Sequence, residues 1–172
     1  CFCAGNDISE FADVRNTKEN INEYNRVTEQ AYKALKNIPK PTIALIEGYC
    51  IGGGLELALL CDLQFASSTA SFGITPAKLG LGYKLDDGSL LIENISAKAA
   101  KELLFTGRKF SANDAMRWGL ISRITEPANL HTTVNTYVDE IITNSPLAIT
   151  ATKIIIEEAT KSDKDRNTQM CQ

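Results

Sequence analysis

The sequence has no CxxC pair and no zinc-type ligand spacing: its five cysteines, Cys1, Cys3, Cys50, Cys61 and Cys171, are scattered and odd in number. Reduced thiols in a reducing compartment, and with them a cytoplasmic location, are the expectation, and no metal site is expected. Histidine is almost missing, because His131 is alone and sits among polar residues at a helix start, where it reads as surface. Dense Lys/Arg runs are absent too. With a net charge of −3 and a pI near 5.3, this removes any global attraction to nucleic acid or to an anionic membrane. A phosphate on a ligand would have to be held locally. The longest apolar runs fall far short of the roughly 20 residues that cross a bilayer. There is no starting Met either: the chain begins at Cys1 in what reads as a strand end, so the natural N-terminus is expected upstream, with room there for a targeting peptide.

What is present reads as one soluble globular domain over residues 1–172, 44% hydrophobic and 23% charged. Its organising stretch runs from Ile43 to Asp62. An apolar run led by Pro41, with β-branched Thr42, Ile43 and Ile46, predicts a buried strand, and Leu55 to Cys61 predicts a buried helix. Between them Gly52, Gly53 and Gly54 permit a sharp turn and a close approach to backbone N–H groups that have no intrahelical partner. An oxygen that carries or develops negative charge would be held there. The alternative is close strand–helix packing alone. Glu56, on the first helical turn among apolar neighbours, is either a capping group or a site group. No Lys-Ser or Lys-Thr follows the glycines, and they are contiguous rather than spread, which excludes a phosphate loop and a dinucleotide fingerprint.

Taken in order, Cys1 to Ile8 predicts a strand end running into a tight turn at Gly5, Asn6 and Asp7, a second place with bare N–H groups. Asn16-Thr17-Lys18-Glu19 predicts a cap at Asn16, followed by a long amphipathic helix that ends before Pro39. Ile21, Tyr24, Val27, Ala31, Tyr32 and Leu35 repeat at helical spacing along it, and its tyrosines are expected to pack in the core or at a contact rather than to serve a cofactor. Strands are expected over Leu63–Ser67, Ala70–Gly73 and Leu120–Ile124, and a loop over Ile74–Gly88, where the paired Asp86 and Asp87 read as solvated surface. Helices are expected over Ser89–Ile95, Ala97–Phe105, Ser111–Trp118, Asn129–Thr143 and Pro146–Thr160.

Four stretches in order, Phe2-Cys3-Ala4-Gly5-Asn6-Asp7-Ile8, Gly48 to Ala58, Cys61-Asp62-Leu63, and Phe105-Thr106-Gly107-Arg108 with Ala115 to Leu120, together resemble the enoyl-CoA hydratase/isomerase (crotonase) family. The resemblance implies an α/β fold, a spiral of repeated ββα units with C-terminal helices, truncated here at both ends. It implies a homotrimer or a pair of trimers. The substrate would be an acyl-CoA thioester, with coenzyme A entering as part of it and no other cofactor, and with no nucleic-acid or membrane partner. It places the oxyanion hole for a thioester enolate at the N–H groups of Asn6 and Gly53, a catalytic carboxylate at Glu56, and CoA and substrate contacts along Cys3, Ala4, Asn6, Asp7, Ile8, Gly52 and Gly53.

The sequence departs from that family at the second catalytic glutamate, where Pro76 stands, and in the Gly-rich loop, replaced by Gly82 to Gly88; Asp86 or Asp87 could swing in as a substitute, against the reading of both as solvated surface. Thr75-Pro76, Leu79-Gly80 and Tyr83 resemble the methylmalonyl-CoA decarboxylase branch. By that resemblance Thr75 and Tyr83 join Glu56 as catalytic groups, in a wall without a second carboxylate. Loss of CO₂ delivers the enolate without removal of an α-proton, which suits such a set. Pro76 is expected to hold Thr75 extended and aim its hydroxyl. A plain hydratase or isomerase is the alternative enzyme, and a non-catalytic acyl-CoA- or RNA-binding homologue is the alternative of another class.

Overall fold

The structure is a computed structural model that describes residues 1–10, 13 and 16–171, without the side chains of 170 and 171. The Cys171 thiol therefore lies outside the described residues. Two small sheets carry the fold. The first holds β1 (Ile43–Ile46), β3 (Leu63–Ser67) and β6 (Arg123–Thr125), all parallel. The second holds β2 (Tyr49–Ile51) and β4 (Ser71–Gly73), which are parallel, and β5 (Lys109–Ser111), antiparallel to β4. Two passes, β1 into β2 and β3 into β4, cross the first sheet, bend, cross the second and lead on into helix; in the third the order reverses, β5 joining the second sheet before β6 joins the first. This is the expected α/β spiral of ββα units.

Two of the strands are absent from the sequence-based expectation. β2 follows β1 after only two residues because Gly48 bends the chain at φ +68°. It is then fixed by distant partners: Cys3 bridges Cys50 in parallel, and the Phe2 and Cys3 N–H groups both donate to the Tyr49 carbonyl. β5 likewise exists only through its register with β4, Phe110 opposite Phe72. Of the strand expected over Leu120–Ile124, the first two residues are buried in the core and pairing starts at Arg123.

The helices are α1 (Lys18–Lys36), α2 (Gly53–Leu59), α3 (Leu85–Asn94), α4 (Ala97–Thr106), α5 (Ala112–Trp118), α6 (Leu130–Ile142) and α7 (Pro146–Thr160). Their ends follow local chemistry. Ser96 caps α4, Ser111 and Asp114 close a reciprocal capping box on α5, and Ser145 caps α7 ahead of Pro146. α4 and α5 stop at left-handed glycines, Gly107 and Gly119. α1 is capped by Thr17, whose hydroxyl accepts the Asn20 N–H at 3.1 Å. The expected cap, Asn16, accepts from the Asn20 side chain instead.

The main core lies between the sheets and α2 to α5, around Ile46, Leu55, Phe72, Leu91, Leu103 and Leu120, each at most 1% exposed. Burying one such side chain stabilises the fold by roughly 1.5–3 kcal/mol. Phe110 stacks on Phe72 and leans on Trp118, and Phe65 with Leu130 and Val134 forms a smaller cluster under α6. Cys50 is part of the main core, where burial pushes its thiol up to about 12 and leaves it unreactive at neutral pH. Asp62 ties three elements together, accepting from the Thr42 N–H and hydroxyl and from Lys153 on α7. His131 is exposed, 3.5 Å from Glu47.

α1 does not pack as expected. None of its residues is buried, and Ile21 and Val27 are exposed; its inward face is Tyr24, Asn25, Thr28, Tyr32 and Leu35. It roofs a cleft rather than sealing a core. Among the described residues, no helix is long and apolar enough to cross a membrane.

Candidate active site

The cleft, about 260 Å³, opens where the turn after Phe2-Cys3-Ala4 meets the start of α2. Gly5, at φ +90°, makes that turn, and a side chain there would begin 2.8 Å from the Ile51 carbonyl oxygen and 3.5 Å from the Gly53 nitrogen. The two turns therefore touch. Gly54 presses α2 onto the other strand of the same corner: a Cβ on Gly54 would stand 2.7 Å from that of Cys3. Leu55 and Glu56 donate their N–H groups back to the Gly52 carbonyl. The N–H groups of Asn6 and Gly53 make no hydrogen bond to the protein among the described residues, and both residues line the cleft. Two residues with unengaged N–H groups thus line one cleft, the Asn6 side-chain oxygen lying 3.5 Å from where a Cβ on Gly53 would stand.

Glu56 enters the same cleft from α2. Both of its oxygens are occupied: the Tyr32 phenol donates to Oε2 at 2.7 Å and the Tyr83 phenol to Oε1 at 3.2 Å. Burial, followed by the hydrogen bond to Glu56, drives the Tyr32 phenol far above the ordinary tyrosine range. For Tyr83 the causes are burial and then the Glu56 charge. Both phenols stay protonated and donate.

Ala4, Asn6, Ile8, Gly52, Gly53, Glu56, Thr75 and Tyr83 line the cleft together, whereas Cys3 and Asp7 do not. Cys3 is used up in the strand bridge and lies under Gly54. Asp7 turns away, accepting from the Ser9 hydroxyl at 2.6 Å and the Ser9 N–H at 2.9 Å, and these bonds hold its carboxyl below the usual range. It shapes the turn that presents Asn6.

Three expectations about the far wall are corrected. Thr75 is not extended: it sits at φ −115°, ψ 13°, because its carbonyl accepts the Lys78 N–H and closes a 3₁₀ turn over Pro76–Leu79. That bond outweighs the pre-proline preference. Its hydroxyl caps nothing and has no protein partner among the described residues. Residues 85–88 are not a loop but the start of α3, whose first turn carries Asp86 and Asp87. Asp86 is exposed, but Asp87 is half-buried in the cleft, and burial followed by the Glu56 charge pushes its carboxyl up. The wall beyond Pro76 therefore does contain a second carboxylate.

The family model described as Enoyl-CoA hydratase/isomerase matches residues 1–171. The chain belongs to that family. It is 33% identical over 164 residues to a short-chain-enoyl-CoA hydratase of Clostridium acetobutylicum, covering 95% of this chain and 62% of that protein. It is 42% identical over 114 residues to the (E)-benzylidenesuccinyl-CoA hydratase of Thauera aromatica, covering 66% of this chain and 44% of that one. The fold superposes on the crystal structure of an enoyl-CoA hydratase/isomerase family protein from Hyphomonas neptunium with a TM-score of 0.90 and 38% identity, over 99% of this chain and 66% of that chain. The chain thus spans less than two thirds of the length of these enoyl-CoA hydratase/isomerase relatives.

Two residues of this cleft hold places other than the favoured ones, Tyr32 reading as packing and Asp87 as surface with a substitute carboxylate as the alternative, and each has a signal in the sequence. Tyr24, Thr28 and Tyr32 recur at i, i+4 and i+8, a stripe of hydroxyl-tipped side chains on one helix face rather than a plain core stripe. Asp86 and Asp87 precede apolar Leu90 and Leu91 by one turn, the pattern of a helix start.

Proposed function

We propose that this chain performs hydratase/isomerase chemistry on an acyl-CoA thioester, with the thioester oxygen held as an enolate by the N–H groups of Asn6 and Gly53. The observation that carries this reading is the pair of unengaged N–H groups on touching turns, belonging to residues that line the same cleft as Glu56. Preorganised donors of this kind stabilise developing negative charge, and loss of one typically costs about 3 kcal/mol in the transition state. Glu56 is the carboxylate that exchanges a proton with water or with carbon. The relatives named as enoyl-CoA hydratases support this choice of substrate class.

A decarboxylase-like reaction is the second reading, favoured by Pro76 at the position of a glutamate and by the free Thr75 hydroxyl. Two observations weigh against it. Tyr83 is engaged with Glu56 rather than free to orient a substrate carboxylate, and Asp87 gives this wall a second carboxyl group, which the decarboxylase-like set lacks.

The test offers the full-length protein crotonyl-CoA and methylmalonyl-CoA in parallel, following loss of the conjugated thioester absorbance and release of CO₂. Hydration without CO₂ is expected, with a loss of 10²–10⁴-fold in Glu56→Gln. CO₂ release without hydration would replace this reading by the decarboxylase one, and no turnover of either thioester would remove both.

A further inference from the structure

We propose that Asp87 is the second proton-transfer group of this cleft, carrying out the duty that Pro76 is chemically unable to perform, while Tyr32 and Tyr83 fix Glu56 as its ionised partner. This rests on the thioester reading above and deepens it. Asp87 and its neighbour Asp86 share the first turn of α3, yet only Asp87 lines the cleft and is half-buried; Asp86 points to water. The groups that face Asp87 are Glu56 from α2, Tyr32 from α1, and Tyr83, Lys84 and Asp86 from its own segment. Lys84 opposes the others, but it is exposed and its ammonium is engaged with Asn25 at 2.8 Å.

Two carboxylates in one small cleft do not both ionise cheaply, so one of them holds a proton over an extended pH range. The hydrogen bonds decide which. Glu56 accepts a phenol on each oxygen, an arrangement made for a carboxylate ion. Asp87 receives no such donor among the described residues, and burial together with the Glu56 charge raises its carboxyl. When the pair carries a single proton, Asp87 is the place for it.

Glu56 takes a proton from water while the water oxygen bonds to Cβ of the enoyl thioester. The π electrons move through Cα to the thioester oxygen, held by Asn6 and Gly53. The enolate then collapses, and Cα takes the proton of Asp87. Glu56 is left protonated and Asp87 ionised, and transfer of one proton from Glu56 to Asp87, directly or through solvent, restores the starting state.

The test compares full-length wild type, Asp87→Asn, Asp87→Glu and Asp86→Asn by crotonyl-CoA hydration against pH. A second readout follows incorporation of deuterium from D₂O at Cα of butyryl-CoA, which has no double bond to hydrate. Asp87→Asn is expected to lower hydration by 10²-fold or more, to lose the fall in rate as pH rises through the Asp87 titration, and to lose α-exchange. Asp87→Glu should recover part of both activities, and Asp86→Asn should stay within about twofold of wild type. If Asp87→Asn keeps the rate, the limb or the exchange, the assignment is wrong. If it does not fold, recovery in Asp87→Glu decides: a wild-type pH profile there, unmoved by the longer acid, overturns the assignment, and a shifted limb upholds it. Wild-type hydration that is lost in Glu56→Gln but kept in Asp87→Asn removes this inference alone. No thioester turnover in wild type removes the underlying reading.

Discussion

Gly54 leaves space that Cys3 fills: a Cβ on Gly54 would stand 2.7 Å from the Cβ of Cys3 and within its carbonyl group. The contact joins the first turn of α2 to the strand end that leads into Gly5 and Asn6. Because the obstacle is mostly backbone, it has no rotamer by which to yield. Gly54→Ala should push the two turns apart, destabilise the protein by about 1–3 kcal/mol as an overpacked core site does, and lower thioester turnover by more than its loss of folded protein. Thermal unfolding and turnover per folded molecule check this. Wild-type stability would mean that the corner is looser than its geometry states.

The two phenols on Glu56 act through it, as positioning groups. A hydrogen bond to a charged group contributes about 1.5–3 kcal/mol. Tyr32→Phe and Tyr83→Phe should therefore each lower kcat by roughly 10- to 100-fold while KM for the thioester stays within a few-fold. Because both hold one carboxylate, the double variant should lose less than the product of the two. A rise in KM with kcat intact would move Tyr32 from positioning to substrate binding.

Asp87 should also leave a mark on stability. A carboxyl whose pKa is raised on folding binds its proton better in the native state. Its contribution is fully present below the ordinary value of 3.8 and is lost as pH rises through the raised native value. Asn has no such loss. Asp87→Asn should accordingly match wild type in Tm near pH 4 and exceed it increasingly toward pH 7, in the same variant whose turnover falls. Equal Tm differences at both pH values would show that Asp87 titrates as a surface group does.

The sequence by itself determined the elements whose chemistry is local. Helix limits at Ser96, Ser111, Gly107, Gly119 and Pro146 follow from caps and breakers that act over three or four residues. The strand–glycine–helix unit around Gly53 and the turn at Gly5 are legible because only glycine adopts a φ of +90° or admits a backbone as close as Cys3 comes to Gly54. Glu56 stands out as a carboxylate among apolar neighbours. Tertiary structure decided what depends on distant partners. β2 and β5 are three residues long and exist through pairing with Cys3 and β4, which no local propensity encodes. α1 carries a helical stripe that fits a core as well as a roof, and only its position over Glu56 turns Tyr32 from packing into a hydrogen-bond donor. Asp86 and Asp87 are identical in the sequence. Adjacent residues on a helix point about 100° apart, so one faces water and the other Glu56, and that angle separates a surface charge from a site group.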